Sequence, residues 1–159
     1  MKTMDDWFAE YGISHQNPVN KTIHWICVPL IFFSIVALLA AIPRPEIFRQ
    51  VPQGWQPYLH WGSVALLPAW LFYLRRSLTM ALGIMLFSSL CLYAVKLLLV
   101  NNAPLATMAF GIFVAAWIGQ FVGHKIEGQK PSFFKDLQFL LIGPAWLMGF
   151  IYRKLGIRY

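Results

Sequence analysis

Hydrophobic positions in this chain come in long runs, and polar residues gather between them. Residues 23–42 contain no Asp, Glu, Lys or Arg. About twenty such residues let a helix cross a hydrocarbon core of about 30 Å. Asn17-Pro18 predicts the start of this helix, with Asn as the cap and Pro at the first helical position. Pro43 and Pro45 end it. Residues 44–57 form a loop with Arg44 and Arg49, and residues 58–74 predict a second, short span that contains Pro68. Arg75-Arg76 closes it. Residues 78–100 predict a third span, Asn101-Asn102 a turn, and residues 103–123 a fourth span. Residues 125–136 are a polar loop with Gly128 and Pro131. Residues 137–152 are apolar but interrupted by Gly143-Pro144, which predicts a re-entrant or fifth membrane segment. Ahead of all these, residues 4–12 place Trp7, Phe8 and Tyr11 at helical spacing, with Asp5, Asp6 and Glu10 elsewhere around the wheel. That pattern predicts an amphipathic helix on the membrane surface. The fold class is therefore all-α: one integral membrane domain over residues 1–159, with four transmembrane helices.

Composition agrees with the pattern. The 159 residues are 58% hydrophobic and 12% charged, and mean hydropathy is +0.58. Soluble chains are about a quarter charged. Half that charge leaves too few polar groups to cover a wetted surface. The net charge of +7 would suggest nucleic acid in a soluble protein. Here the basic residues sit beside apolar runs, where they meet anionic headgroups, and no nucleic-acid partner is expected. Cys27 and Cys91 lie inside apolar runs without metal-binding spacing and read as small buried hydrophobes. The polar start of the chain predicts no cleavable signal peptide.

Charge also predicts orientation. With the N-terminus cytoplasmic, Arg75-Arg76, the loop with Lys125 and Lys135, and the cluster Arg153, Lys154 and Arg158 share the cytoplasmic side. Asn101-Asn102 faces outward. The last segment then does not cross, which favours the re-entrant alternative.

This orientation gathers the histidines. His15 and His24 flank the cytoplasmic start of the first span, and His124 ends the fourth on the same side. His60 stands at the opposite face beside Tyr58 and Trp61, in what reads as an interface belt. Imidazole is the commonest metal ligand, and helical bundles build metal sites from facing helices. Asn20 and Gln120 each lie one turn before a helical histidine, suited to hold an imidazole or a bound water. Glu127, three residues past His124, is a candidate carboxylate ligand. The competing reading is local: boundary histidines cap helices or meet headgroups, and Glu127 pairs with Lys125 or Lys130. Lys96, within the third span, reads as snorkelling outward.

Two blocks bear on the choice. His15-Gln16-Asn17-Pro18-Val19-Asn20, followed by Ile23-His24 and Val28-Pro29, resembles the H-x-N-P-x-N-x-x-I-H…P signature of the small membrane dioxygenases that degrade 2-hydroxy fatty acids. Trp117-Ile118-Gly119-Gln120-Phe121-Val122-Gly123-His124, followed by Glu127 and Lys130-Pro131, resembles that family's W-x-x-Q-F-x-G-H…E…P block. The family's spacing from histidine to Glu is three residues; here only Lys125 and Ile126 intervene. The middle spans match in hydropathy alone.

The resemblance implies a ferrous iron cofactor, dioxygen as co-substrate, and α-oxidation that removes one carbon from a 2-hydroxy fatty acid. It implies His15, His24 and His124 as the iron site and catalytic centre, and Asn20 and Gln120 as supporting groups. Lys21, Lys125 and Lys130 would attract the substrate carboxylate. Likeness to the family's bacterial branch implies a bacterial inner membrane, with the metal site on the cytoplasmic side. Three rivals remain: a non-enzymatic membrane protein that binds lipid or a partner, a proton-coupled transporter, for which only Lys96 approaches mid-membrane, and a zinc hydrolase.

Overall fold

The Asn17-Pro18 signal holds. Asn17 Oδ1 accepts from the Val19 amide at 2.8 Å, and Pro18 opens the longest helix. The computed structural model describes residues 2–128 and 139–159, and these form six α-helices and no strand. They are α1 Met4–Gly12, α2 Pro18–Ala41, α3 Trp61–Leu74, α4 Leu78–Val100, α5 Leu105–Glu127 and α6 Ile142–Leu155. Short 3-10 turns at Glu46–Arg49 and Gln56–Tyr58 interrupt the loop from α2 to α3.

Three helices, α2, α4 and α5, are long and apolar enough to cross a membrane. The sequence predicts four. The difference is α3, whose 14 residues rise only about 21 Å. Its predicted start, residues 58–60, goes instead to a 3-10 turn and the cap residue His60. On α4 the large apolar residues Leu78, Leu82, Leu86, Leu90, Tyr93 and Leu97 are exposed along one stripe. A soluble protein does not present such a stripe to water.

α2 and α5 form the central pair, packed through two glycines. A Cβ on Gly119 would sit 2.6 Å from Cys27 Sγ, and one on Gly123 would overlap Asn20 Oδ1. Small residues four apart let two helix backbones approach closely. That approach brings His24 on α2 level with His124 on α5.

The ends of the chain fold onto this pair. Met4, Phe8 and Tyr11 of α1 are buried in one cluster with Trp146 and Tyr152 of α6. The apolar face of α1, predicted to lie on lipid, is thus covered by protein. Gly143-Pro144 does not interrupt α6. It lies in the first turn, where proline's missing N–H has no partner to lose. Residues 137 and 138 of the predicted segment lie outside the described residues. Tyr73 of α3 donates to the Leu141 carbonyl just before α6, and Tyr152 of α6 donates to the Thr79 carbonyl of α4 at 2.8 Å. Lys2, Thr3, Arg75, Arg76 and Tyr159 line one polar cleft, so both chain ends and the turn from α3 to α4 share one end of the bundle.

Candidate metal centre

His15 lies on the short link between α1 and α2, His24 on the second turn of α2, and His124 on the last turn of α5. All three are buried, at 2%, 1% and 5% exposure. One nitrogen from each lies within 4.8 Å of the other two, and among the described residues these three form the only such cluster of potential metal ligands. The ring centroids are 4.3, 5.1 and 5.2 Å apart.

Backbone carbonyls decide which nitrogens face inward. His15 Nδ1 lies 2.6 Å from the Tyr11 carbonyl oxygen, and His24 Nδ1 lies 2.9 Å from the Asn20 carbonyl oxygen. A carbonyl oxygen only accepts, so in each ring Nδ1 carries the hydrogen and donates it. The two Nε2 atoms face each other at 2.9 Å, each with its lone pair. Two acceptors at that distance repel unless a positive charge stands between or beside them, either a metal ion or a shared proton. A metal-bound histidine commonly donates its other N–H to a carbonyl, as both of these do. The residues present fit a metal ion.

The surroundings hold the rings in place. Tyr11 stacks on His15, with centroids 4.1 Å apart and planes 10° from parallel. Trp146 of α6 lies against both, at 5.2 Å from Tyr11 and 5.4 Å from His15. Neither aromatic stands out in the sequence as part of a site. The one available signal is that Tyr11 precedes His15 by a helical turn.

The other site candidates fall into different places. Glu127 accepts from the Gln16 amide at 2.6 Å, the Asn17 amide at 2.9 Å and Asn20 Nδ2 at 2.9 Å. Its carboxylate therefore caps the start of α2 and is not one of the clustered ligand atoms. Asn20 holds His24 through its backbone carbonyl, not its amide, which bridges Glu127 and the Ser14 carbonyl. Gln120 borders a cavity of about 30 Å³ together with Tyr11, His24, Val28, Ile31 and Trp117, room for about one water molecule. Lys21 is half-buried three residues before His24, and Lys125 is exposed next to His124. Lys130 lies outside the described residues.

His60 is far from this cluster and is not the surface residue its neighbours suggest. It is fully buried and caps α3, with Nδ1 accepting from the Ser63 amide at 3.2 Å. A larger apolar cavity of about 400 Å³, lined by Trp55, Tyr58, Trp70 and neighbours, lies on that loop. It contains no histidine, cysteine or carboxylate, so its size does not make it the chemical site.

Helices with the length to cross a bilayer, closed around three buried imidazoles, define a small helical protein of membrane type with an internal centre able to hold a metal. Residues 1–155 match the family model described as 2-hydroxy-palmitic acid dioxygenase Mpo1-like, and the chain belongs to this Mpo1-like family. It is 30% identical over 150 residues to 2-hydroxy-palmitic acid dioxygenase MPO1 of Saccharomyces cerevisiae, covering 92% of this chain and 78% of the yeast protein. No solved structure matches it.

Proposed function

We propose that this chain is an iron(II)-dependent membrane dioxygenase that shortens 2-hydroxy fatty acids by one carbon, with His15, His24 and His124 as the metal ligands. The observation that carries this reading is the convergence of three buried imidazoles from distant parts of a chain whose family is named for such an enzyme. The separation of 2.9 Å between two Nε2 atoms also favours it. Two imidazole nitrogens this close are compatible with ligands of one ion, and the set alone suits iron as well as zinc.

When bound, ferrous iron supplies the open positions and the redox capacity that dioxygen chemistry requires. The chain's own groups do the rest. The carbonyls of Tyr11 and Asn20 keep both Nε2 lone pairs facing inward. Trp146 and Tyr11 shield the rings from water. Val28, Ile31 and Trp117 keep the small space beside His24 largely apolar. Lys21 and Lys125 attract the carboxylate from the same end of the bundle, and Lys130, outside the described residues, is a further candidate by sequence.

The charge pattern supports a cytoplasmic orientation of this end, and the likeness to the family's bacterial branch supports a bacterial inner membrane. In that topology α3 and its preceding loop complete a fourth crossing, and α6 packs at the membrane boundary without crossing. Residues 1–159 then act as a single domain.

The test is anaerobic purification from membranes, followed by metal analysis and an assay for the shortened acid. About one iron per chain and oxygen-dependent product are expected. His24→Ala and His124→Ala should each lower product formation at least ~100-fold with loss of iron. Wild-type turnover in either variant, or turnover without iron, would refute the assignment.

A further inference from the structure

We propose that Gln120 selects the substrate, by accepting a hydrogen bond from its 2-hydroxyl group. This rests on the dioxygenase reading and adds to it a residue that discriminates a 2-hydroxy acid from the unsubstituted acid of the same length. Gln120 is only 6% exposed, and its Oε1 is buried without a hydrogen-bond partner among the described residues. A buried amide oxygen left unpaired is costly, and such atoms usually have a partner in the functional state. The amide borders the cavity of about 30 Å³ that also reaches His24. This space has the size of about one water molecule and so admits a single hydroxyl group beside His24, not an acyl chain.

Chemistry narrows what Oε1 can accept. Near neutral pH the carboxylate of a 2-hydroxy acid has only acceptors, dioxygen has only acceptors, and the alkyl chain has neither donor nor acceptor of use. Within the substrate the 2-hydroxyl is the one donor close to the reacting carbons, and it would replace the single water that the cavity can hold. Gln120 and His124 lie one turn apart on α5 and share a face, so a group bonded to the amide stands beside the imidazole cluster. A site built to bond a hydroxyl rejects the analogue without one, because its own polar atom is then left unpaired.

The experiment is a binding cycle on the iron-loaded protein without oxygen. Dissociation constants are measured for a 2-hydroxy acid and its 2-fluoro analogue, which has similar size but no O–H to donate. Wild type should prefer the 2-hydroxy acid. Gln120→Met, close in size but without the amide, should narrow that preference at least about tenfold. Affinity for the 2-fluoro acid and iron content should stay within about twofold of wild type. Gln120→Asn, which withdraws the amide by one carbon, should narrow the preference in the same direction, and it decides the matter if the Met variant does not fold. An unchanged preference in a folded, iron-loaded variant overturns the role of Gln120 alone. A wild type that binds both acids equally does so too. A wild type that holds no iron and binds neither acid overturns the dioxygenase reading and this inference together.

Discussion

Glu127 gives its oxygens to the amides of Gln16 and Asn17 and to the side chain of Asn20. A carboxylate so engaged anchors the link that carries His15 to the end of α5 that carries His124. One substitution separates anchoring from ligation. Glu127→Gln keeps one acceptor oxygen and should retain iron, with stability in detergent lowered by about 1–3 kcal/mol. Loss of all iron at an unchanged melting temperature would instead make Glu127 a ligand. The residue scale is also where reading the sequence goes furthest and then stops. His15, His24 and His124 are legible because imidazoles are rare beside apolar runs and charge brings them to one face. Glu127 reads as a ligand or a solvated charge because spacing cannot show that two unpaired amides at the start of α2 lie opposite it. His60 reads as an interface residue from Tyr58 and Trp61, yet its cap position on α3 buries it. Asn20 and Gln120 occupy equivalent places in the sequence and do different things: one bridges Ser14 and Glu127, and the other borders a cavity.

At the scale of elements, the approach of α2 to α5 sets the spacing of the histidines. Gly123→Ala puts a methyl group where Asn20 Oδ1 lies and should cost about 1–3 kcal/mol by overpacking, with weakened iron binding. Gly111 sits on the same helix with nothing within 4 Å of an added Cβ. Gly111→Ala should therefore leave iron content unchanged and melt at the same temperature or slightly higher. Equal losses in the two variants would remove the close-approach argument. The C-terminal helix is held by side-chain bonds to two other helices. Tyr152→Phe deletes the bond to the Thr79 carbonyl and should lower stability by about 1 kcal/mol, read by thermal melting. Helix starts and stops were largely legible, since Asn17-Pro18 and Arg75-Arg76 mark them. What covers α1 was not, because an amphipathic face looks the same whether lipid or Trp146 lies on it. The length of α3 was missed because Tyr58 and Leu59 extend the hydropathy run without continuing the helix.

For the whole molecule, both chain ends, the turn from α3 to α4 and the histidine cluster lie at one end of the bundle, and Asn101-Asn102 lies between the far ends of α4 and α5. A membrane-impermeant thiol reagent should label Asn101→Cys in intact spheroplasts and Ser77→Cys only after lysis. Labelling of both in intact spheroplasts would contradict the proposed topology. Cys27 and Cys91 are buried and give little background. The overall plan of apolar helices and a polar end was legible from hydropathy and charge. The folding of residues 2–12 and 139–159 over the centre was not, because contacts between the two ends of a chain leave no local periodicity.

The arrangement in which distant segments share one centre bears on how the protein is made. A ribosome releases His15 and His24 early, while His124 follows 100 residues after His24. At ordinary synthesis rates that interval is about 5–20 s. Trp146, which lies against Tyr11 and His15, comes later still. During insertion the nascent chain therefore carries two of the three imidazoles with neither the third ring nor the aromatic cover in place. Under the proposed function, metal capture would come at the end of biogenesis. A chain truncated before α5 should reach the membrane yet never acquire the ion.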